Sequence, residues 1–214
     1  MGAPHRTMSH AWLHLFAIGA VVCVLAAYQT TGAQAAQEAQ VTAQLPPMQR
    51  PERNVGFKRV TLKDGKEVDT TLVAKTADTE SWQRSDGCSW TRPTTGFAPS
   101  VKWSGCASND GTSIVKLVEG DPWPLQVGKE WTYSLRGSNV VGYSWDTKRE
   151  CEVKEVARIK TKLGEHNTYK VVCTDRWNIR TWYMSPSLKT YVRYIKDHYE
   201  QGPTVHELIK TVEP

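Results

Sequence analysis

Residues 123–133, Trp123-Pro-Leu-Gln-Val-Gly-Lys-Glu-Trp-Thr-Tyr133, and residues 181–186, Thr181-Trp-Tyr-Met-Ser-Pro186, bracket a stretch that reads as a β-meander. In its opening strand Trp131, Tyr133 and Leu135 alternate with Thr132, Ser134 and Arg136. A period of two places one set against a core and the other in water. Between the brackets lie Cys151-Glu-Val153 and Tyr169-Lys-Val-Val-Cys173, two further strands that each carry a cysteine. Residues 149–160 shift phase, with Cys151 and Val153 on odd positions and Val156 on an even one. One extra residue in a bulge near Lys154-Glu155 produces such a shift. A turn centred on Leu163-Gly164 would bring residue 151 opposite residue 176, three beyond Cys173, so bulges, another turn or another disulfide must absorb the difference. Hairpins around residues 185–188 and a last strand at 205–212 complete a meander of about six strands over residues 120–214.

Upstream, residues 57–62 alternate, Asp64-Gly65 supplies a turn that tolerates positive φ, and residues 67–75 resume with β-branched side chains. A turn near Ala77-Asp78 returns the chain through Trp82. Val68, Thr70, Thr71 and Val73 argue against a helix in this interval. Residues 85–119 lack clear periodicity and mix Gly, Pro and Ser with Trp90, Phe97 and Trp103, which reads as a long loop. Val55-Gly56 and Val127-Gly128 open the two β groups similarly and suggest a duplicated unit.

The N-terminus places Arg6 before an apolar run over residues 11–27 and an Ala33-Gln-Ala35 site. Positive charge, apolar core and small-x-small site are the features of a secretory signal peptide over residues 1–35, which leaves no transmembrane segment after cleavage. Residues 36–54, Gln-rich and carrying Pro46-Pro47, read as a disordered leader. Cleavage removes Cys23 and leaves Cys88, Cys106, Cys151 and Cys173. An even count in an exported chain predicts two disulfides, and of three connectivities the sequence-near pairs Cys88 with Cys106 and Cys151 with Cys173 are favoured. The expected fold is all-β, a curved antiparallel meander forming a sandwich or small open barrel, with residues 55–119 and 120–214 together making one domain.

The blocks Trp123-Pro-Leu-x-Val-Gly-x-x-Trp-Thr-Tyr133, Thr168-Tyr-Lys-Val-Val-Cys173, Thr181-Trp-Tyr-Met-Ser-Pro186 and Ser85-Asp-Gly-Cys-Ser-Trp-Thr-Arg-Pro93 resemble uncharacterised exported proteins of Gram-negative bacteria. The resemblance implies a periplasmic or envelope-associated β domain and transfers no catalytic residue.

The chemistry legible in the chain is sparse. No Cys-x-x-Cys or Gly-x-Ser-x-Gly is present, and His166, His198 and His206 match no zinc spacing, so no metal and no cofactor are expected. A formal net charge of +5, with acids interspersed, permits an anionic partner without indicating nucleic acid. Nine Trp against three Phe make the aromatics the stronger signal. Trp131, Tyr133, Trp182 and Tyr183 lie in alternating strands and read as packing. Trp90, Phe97 and Trp103 lie in the segment enclosed by Cys88 and Cys106 and are the candidate binding residues. The expected function is a non-catalytic binding or envelope-structural module, periplasmic or secreted, engaging a cell-wall glycan, a lipid or a partner protein. The alternative is a hydrolase of envelope substrates whose carboxylates and His198 converge only on folding.

Overall fold

The structure, a computed structural model, describes residues 45–106 and 109–214. The expected signal segment and residues 36–44 of the leader lie outside the described residues. Twelve strands follow in order: β1 (Lys58–Lys63), β2 (Lys66–Lys75), β3 (Thr79–Arg84), β4 (Ser89–Pro93), β5 (Lys102–Ser104), β6 (Gly111–Gly120), β7 (Glu130–Asn139), β8 (Ser144–Thr161), β9 (Gly164–Asp175), β10 (Asn178–Ser185), β11 (Thr190–His198) and β12 (Gly202–Val212). Each pairs antiparallel with its sequence neighbours, and β1 also pairs with β12, so the sheet closes into an up-and-down barrel. The all-β meander is therefore as expected, but it is neither a sandwich nor an open barrel. The closing contact joins Lys58 to Val212 and Lys63 to His206, residues from opposite ends of the chain. The two β groups are halves of one continuous sheet rather than separate units.

Local signals explain the hairpins. Asp64 and Gly65 both have positive φ, at 51° and 80°, as the β1–β2 turn requires. The β8–β9 turn is Lys162-Leu163, with Thr161 opposite Gly164, which removes two of the three positions of mismatch. A register shift between Val153 and Glu155 absorbs the third and leaves Cys151 directly opposite Cys173. These two are bonded, as are Cys88 and Cys106. Each bond closes a short loop, at sequence separations of 22 and 18, and contributes about 3 kcal/mol in the chain-entropy model.

Residues 85–119 are not a loop: they hold β4, β5 and β6. β4 is half-buried at all five positions and β5 has three residues, so neither writes a period of two into the sequence. The disulfide joins the outer ends of the β4–β5 hairpin, and the true loop, residues 94–101, lies at the opposite end of the barrel.

Around eight strands enclose just enough space for ordinary side chains, and twelve enclose more. This chain fills the extra width with Trp82, Trp131, Tyr133 and Tyr169, all fully buried, and with an inserted loop. Phe97, at φ 53°, carries that loop inward until its ring lies 5.4 Å from Trp131, 5.3 Å from Trp182 and 5.5 Å from Trp123. The Tyr133 hydroxyl holds the loop by donating to the Gly96 carbonyl at 2.6 Å, and burial pushes its pKa up to about 12.

Part of the expected leader closes the same end. Met48 exchanges two backbone hydrogen bonds with Leu125, and Tyr169 Oη donates to the carbonyls of Leu45 and Pro46 at 2.7 and 3.0 Å. Residues 45–54 are thus a strap rather than a free tail, because Met48 joins the buried cluster around Phe97 and Leu125 and Pro51 is buried.

Candidate binding site at the barrel mouth

Connections alternate between the two ends of an up-and-down barrel. The plug and strap cover one end, and the β5–β6, β7–β8 and β9–β10 connections stand at the other. At this second end the inward-facing positions carry indoles. Trp103 of β5 stands opposite Gly111 of β6, and Trp145 of β8 opposite Gly137 of β7. A Cβ on Gly111 would meet Trp103 Cζ2 at 2.4 Å, and one on Gly137 would meet Trp145 Cζ2 at 2.6 Å. The two glycines therefore let the rings lie flat over neighbouring strands, where glycine in a strand marks a close approach.

The rings then meet each other. Trp103 and Trp145 have centroids 5.8 Å apart, Tyr143 stacks on Trp145 at 6.0 Å, and Trp177 from the β9–β10 turn meets Trp145 edge-on at 6.0 Å. Trp103 Nε1 donates to the Asn109 carbonyl at 2.7 Å, which fixes its orientation. Tyr143 is 48% exposed, and Trp103, Trp145 and Trp177 are half-buried. On the outer face of the same strands, behind Trp145, a groove of about 630 Å³ crosses β6, β7 and β8, lined by the exposed side chains of Thr112, Ser138, Ser144, Arg136 and Asp146. Arg136 donates to Asp146 Oδ2 at 2.7 and 3.0 Å, both side chains being largely exposed. An exposed pair of this kind adds little stability.

Deeper along the inner face that carries Trp145 lies a buried ionic cluster. Asp175 accepts from Arg149 at 2.8 and 3.1 Å, from Arg180, from the Trp177 and Asn178 amides at 3.1 and 3.0 Å, and from the Asn178 side chain. Burial opposes charge on Asp175, but Arg180 and Arg149 outweigh it and hold the carboxyl well below the usual range. By accepting from the Trp177 amide, this carboxylate sets the turn that presents the Trp177 ring. Arg149 also reaches the Phe97 carbonyl at 3.4 Å and so ties the cluster to the plug.

The three candidate aromatics separate. Trp103 belongs to the mouth. Trp90 stands between Trp82 and Trp103 in the strand register and packs against the buried Phe57, Leu72 and Trp82 group. Phe97 is only 6% exposed and serves as the plug, so it is not a surface contact residue; the positive φ that turns its ring inward is invisible in a single sequence. Sequence reasoning missed Tyr143, Trp145 and Trp177, although Gly111 and Gly137 within strand-like runs were an available signal.

The histidines do not gather either. His198 Nδ1 accepts from the Glu200 amide at 3.1 Å, and Asp197 and Glu200 are exposed. His206 is half-buried; burial, then Arg84 and Lys63, lower its pKa to about 4. Among the described residues no group of three or more His, Cys, Asp or Glu has metal-holding geometry. No helix among them is long and apolar enough to cross a membrane.

No protein-family model matches the chain, and no curated protein is similar to it. Among solved structures it is similar to the hypothetical lipoprotein YmcC from Escherichia coli. The TM-score is 0.48 at 12% identity, over 82% of this chain and 89% of that one.

Proposed function

We propose that this protein is an exported, non-catalytic binding module of the cell envelope and that its ligand is a glycan held at the barrel mouth. The observation that carries the reading is the Tyr143–Trp145–Trp103 platform at the barrel mouth. Sugar rings present C–H faces that pack on aromatic rings, and their hydroxyls pair with planar carboxylate, amide and guanidinium groups. Asp146, Arg136, Ser138 and Ser144 supply such groups on the outer face of the rim, across the sheet from the rings. The two disulfides support an oxidising compartment, periplasmic or extracellular.

Affinity electrophoresis through gels containing soluble envelope polysaccharide tests the reading. The wild type should be retarded, whereas Tyr143→Ala and Trp145→Ala should migrate as in an empty gel while keeping native β-sheet circular dichroism. Equal retardation of a folded Tyr143→Ala, Trp145→Ala double variant would remove the platform from the account.

A further inference from the structure

At the plugged end three arginine side chains enter the barrel and meet a single carboxylate. Arg59 of β1 is 5% exposed, and its guanidinium carbon lies 4.4 Å from the Trp82 ring centroid and 4.8 Å from that of Tyr191. Arg92 of β4 lies 5.5 Å from the same Trp82 ring and donates to Glu80 Oε2 at 3.3 Å. Arg53 of the strap donates to the Lys189 carbonyl at 2.9 Å and lies 5.3 Å from the Phe57 ring. Glu80 Oε2 is shared with Trp82 Nε1 at 3.2 Å.

The charges do not balance. Three guanidiniums face one carboxylate, and the Nε atoms of Arg53, Arg59 and Arg92 are all buried without a hydrogen-bond partner. No side chain or carbonyl among the described residues accepts a hydrogen bond from Arg59. Ring faces compensate a cation in part, but a buried guanidinium ordinarily has an anionic or carbonyl partner. Burial, followed by mutual repulsion from Arg59 and Arg92, lowers the Arg53 pKa to about 9. That direction is the one expected of a cationic cluster lacking its counter-charge.

We propose that Arg53, Arg59 and Arg92 form a binding site for a small oxyanion, phosphate or the phosphoryl or carboxylate group of a larger molecule, at the barrel end opposite the aromatic mouth. Guanidinium forks match the oxygen spacing of these groups and take them in preference to spherical anions. The site is built partly from the strap, so a bound anion also fastens residues 45–54 to the barrel. It stands independently of the glycan reading, because it shares no residue with the mouth.

The test is thermal unfolding of the full chain in rising inorganic phosphate, with sodium chloride adjusted to hold ionic strength constant, and with acetate as a second arm. A ligand that binds only the folded state raises Tm with concentration. The wild type should gain several degrees in phosphate over matched chloride; a gain in acetate as well would extend the site to carboxylates. Arg59→Met should lose the gain, yet be at least as stable as wild type in chloride, since it removes an uncompensated charge and keeps the apolar stem. Arg92→Met, at a less buried position, supplies the same comparison should Arg59→Met fail to fold. Phosphate gains equal in wild type and the folded variant, or no gain in the wild type, would overturn the proposal. So would loss of stability by the folded variant in chloride and phosphate alike, which is the behaviour of an arginine that serves only as a strut between rings.

Discussion

The Trp145 indole lies across Gly137 of the adjacent strand so closely that a methyl group there would sit 2.6 Å from Cζ2. The same methyl would sit 2.6 Å from the Thr112 carbonyl oxygen, so relief cannot come from one flexible side chain. Gly137→Ala should therefore lift the ring and cost about 1–3 kcal/mol of stability, the usual penalty of overpacking. Urea unfolding gives the cost, and weakened polysaccharide binding at temperatures where the variant is folded gives the functional effect. A variant with wild-type stability and binding would show that the ring does not depend on the glycine.

Phe97 is buried among Trp123, Trp131 and Trp182 and closes the barrel from inside. Phe97→Ala should destabilise by about 3–5 kcal/mol, the range for emptying an aromatic site in a core. Because the ring sits far from the mouth, glycan binding by the remaining folded protein should be unchanged. Loss of binding at full stability would return Phe97 to the contact surface.

The plug, the strap and the mouth show what one sequence can and cannot say. Asp64-Gly65, the phase shift after Val153 and the cysteine pairs are local patterns with local causes, and each is found where its chemistry puts it. Closure of the barrel depends on β1 meeting β12, a contact between chain ends that leaves no periodic trace. The strap read as a tail because Pro46-Pro47 and its glutamines are typical of linkers, while its anchors, the Met48–Leu125 bridge and the bonds to Tyr169 and Lys189, come from distant parts of the chain. Trp103 was legible as a candidate, but its partners Tyr143, Trp145 and Trp177 come from two other hairpins. Only the register of β5 to β10 brings them together.

Asp175 and His206 both contribute to the acid side of the stability profile. For His206 the folded pKa, about 4, lies below the ordinary 6.5, so the unfolded chain binds more protons between these values. Its contribution is present above pH 6.5 and is lost as pH falls towards 4. Asp175 is depressed below 3.8, and its contribution is lost only below that value. Denaturant midpoints should decline from pH 6.5 to 4 and fall further below. His206→Gln should flatten the first segment and leave the second. An unaltered slope in the variant would assign the decline to other groups.

Asp175→Asn removes the carboxylate shared by Arg149 and Arg180 and leaves Arg149 buried without a counter-charge. Breaking a buried pair in this way costs about 3–5 kcal/mol. The Arg176-Trp177 turn should also loosen, visible as a change in near-ultraviolet circular dichroism. A Tm within a degree of wild type would contradict the role given to this cluster.

The most direct test of the glycan account is the set of indole N–H resonances in a two-dimensional nitrogen-15 spectrum, recorded while soluble envelope polysaccharide fragments are added. The account predicts that the Trp103, Trp145 and Trp177 signals, assigned by Trp→Phe substitution, move together and saturate, while those of the buried Trp82 and Trp131 stay fixed. Saturating shifts elsewhere with these three unmoved, or no shifts with any fragment, would contradict it.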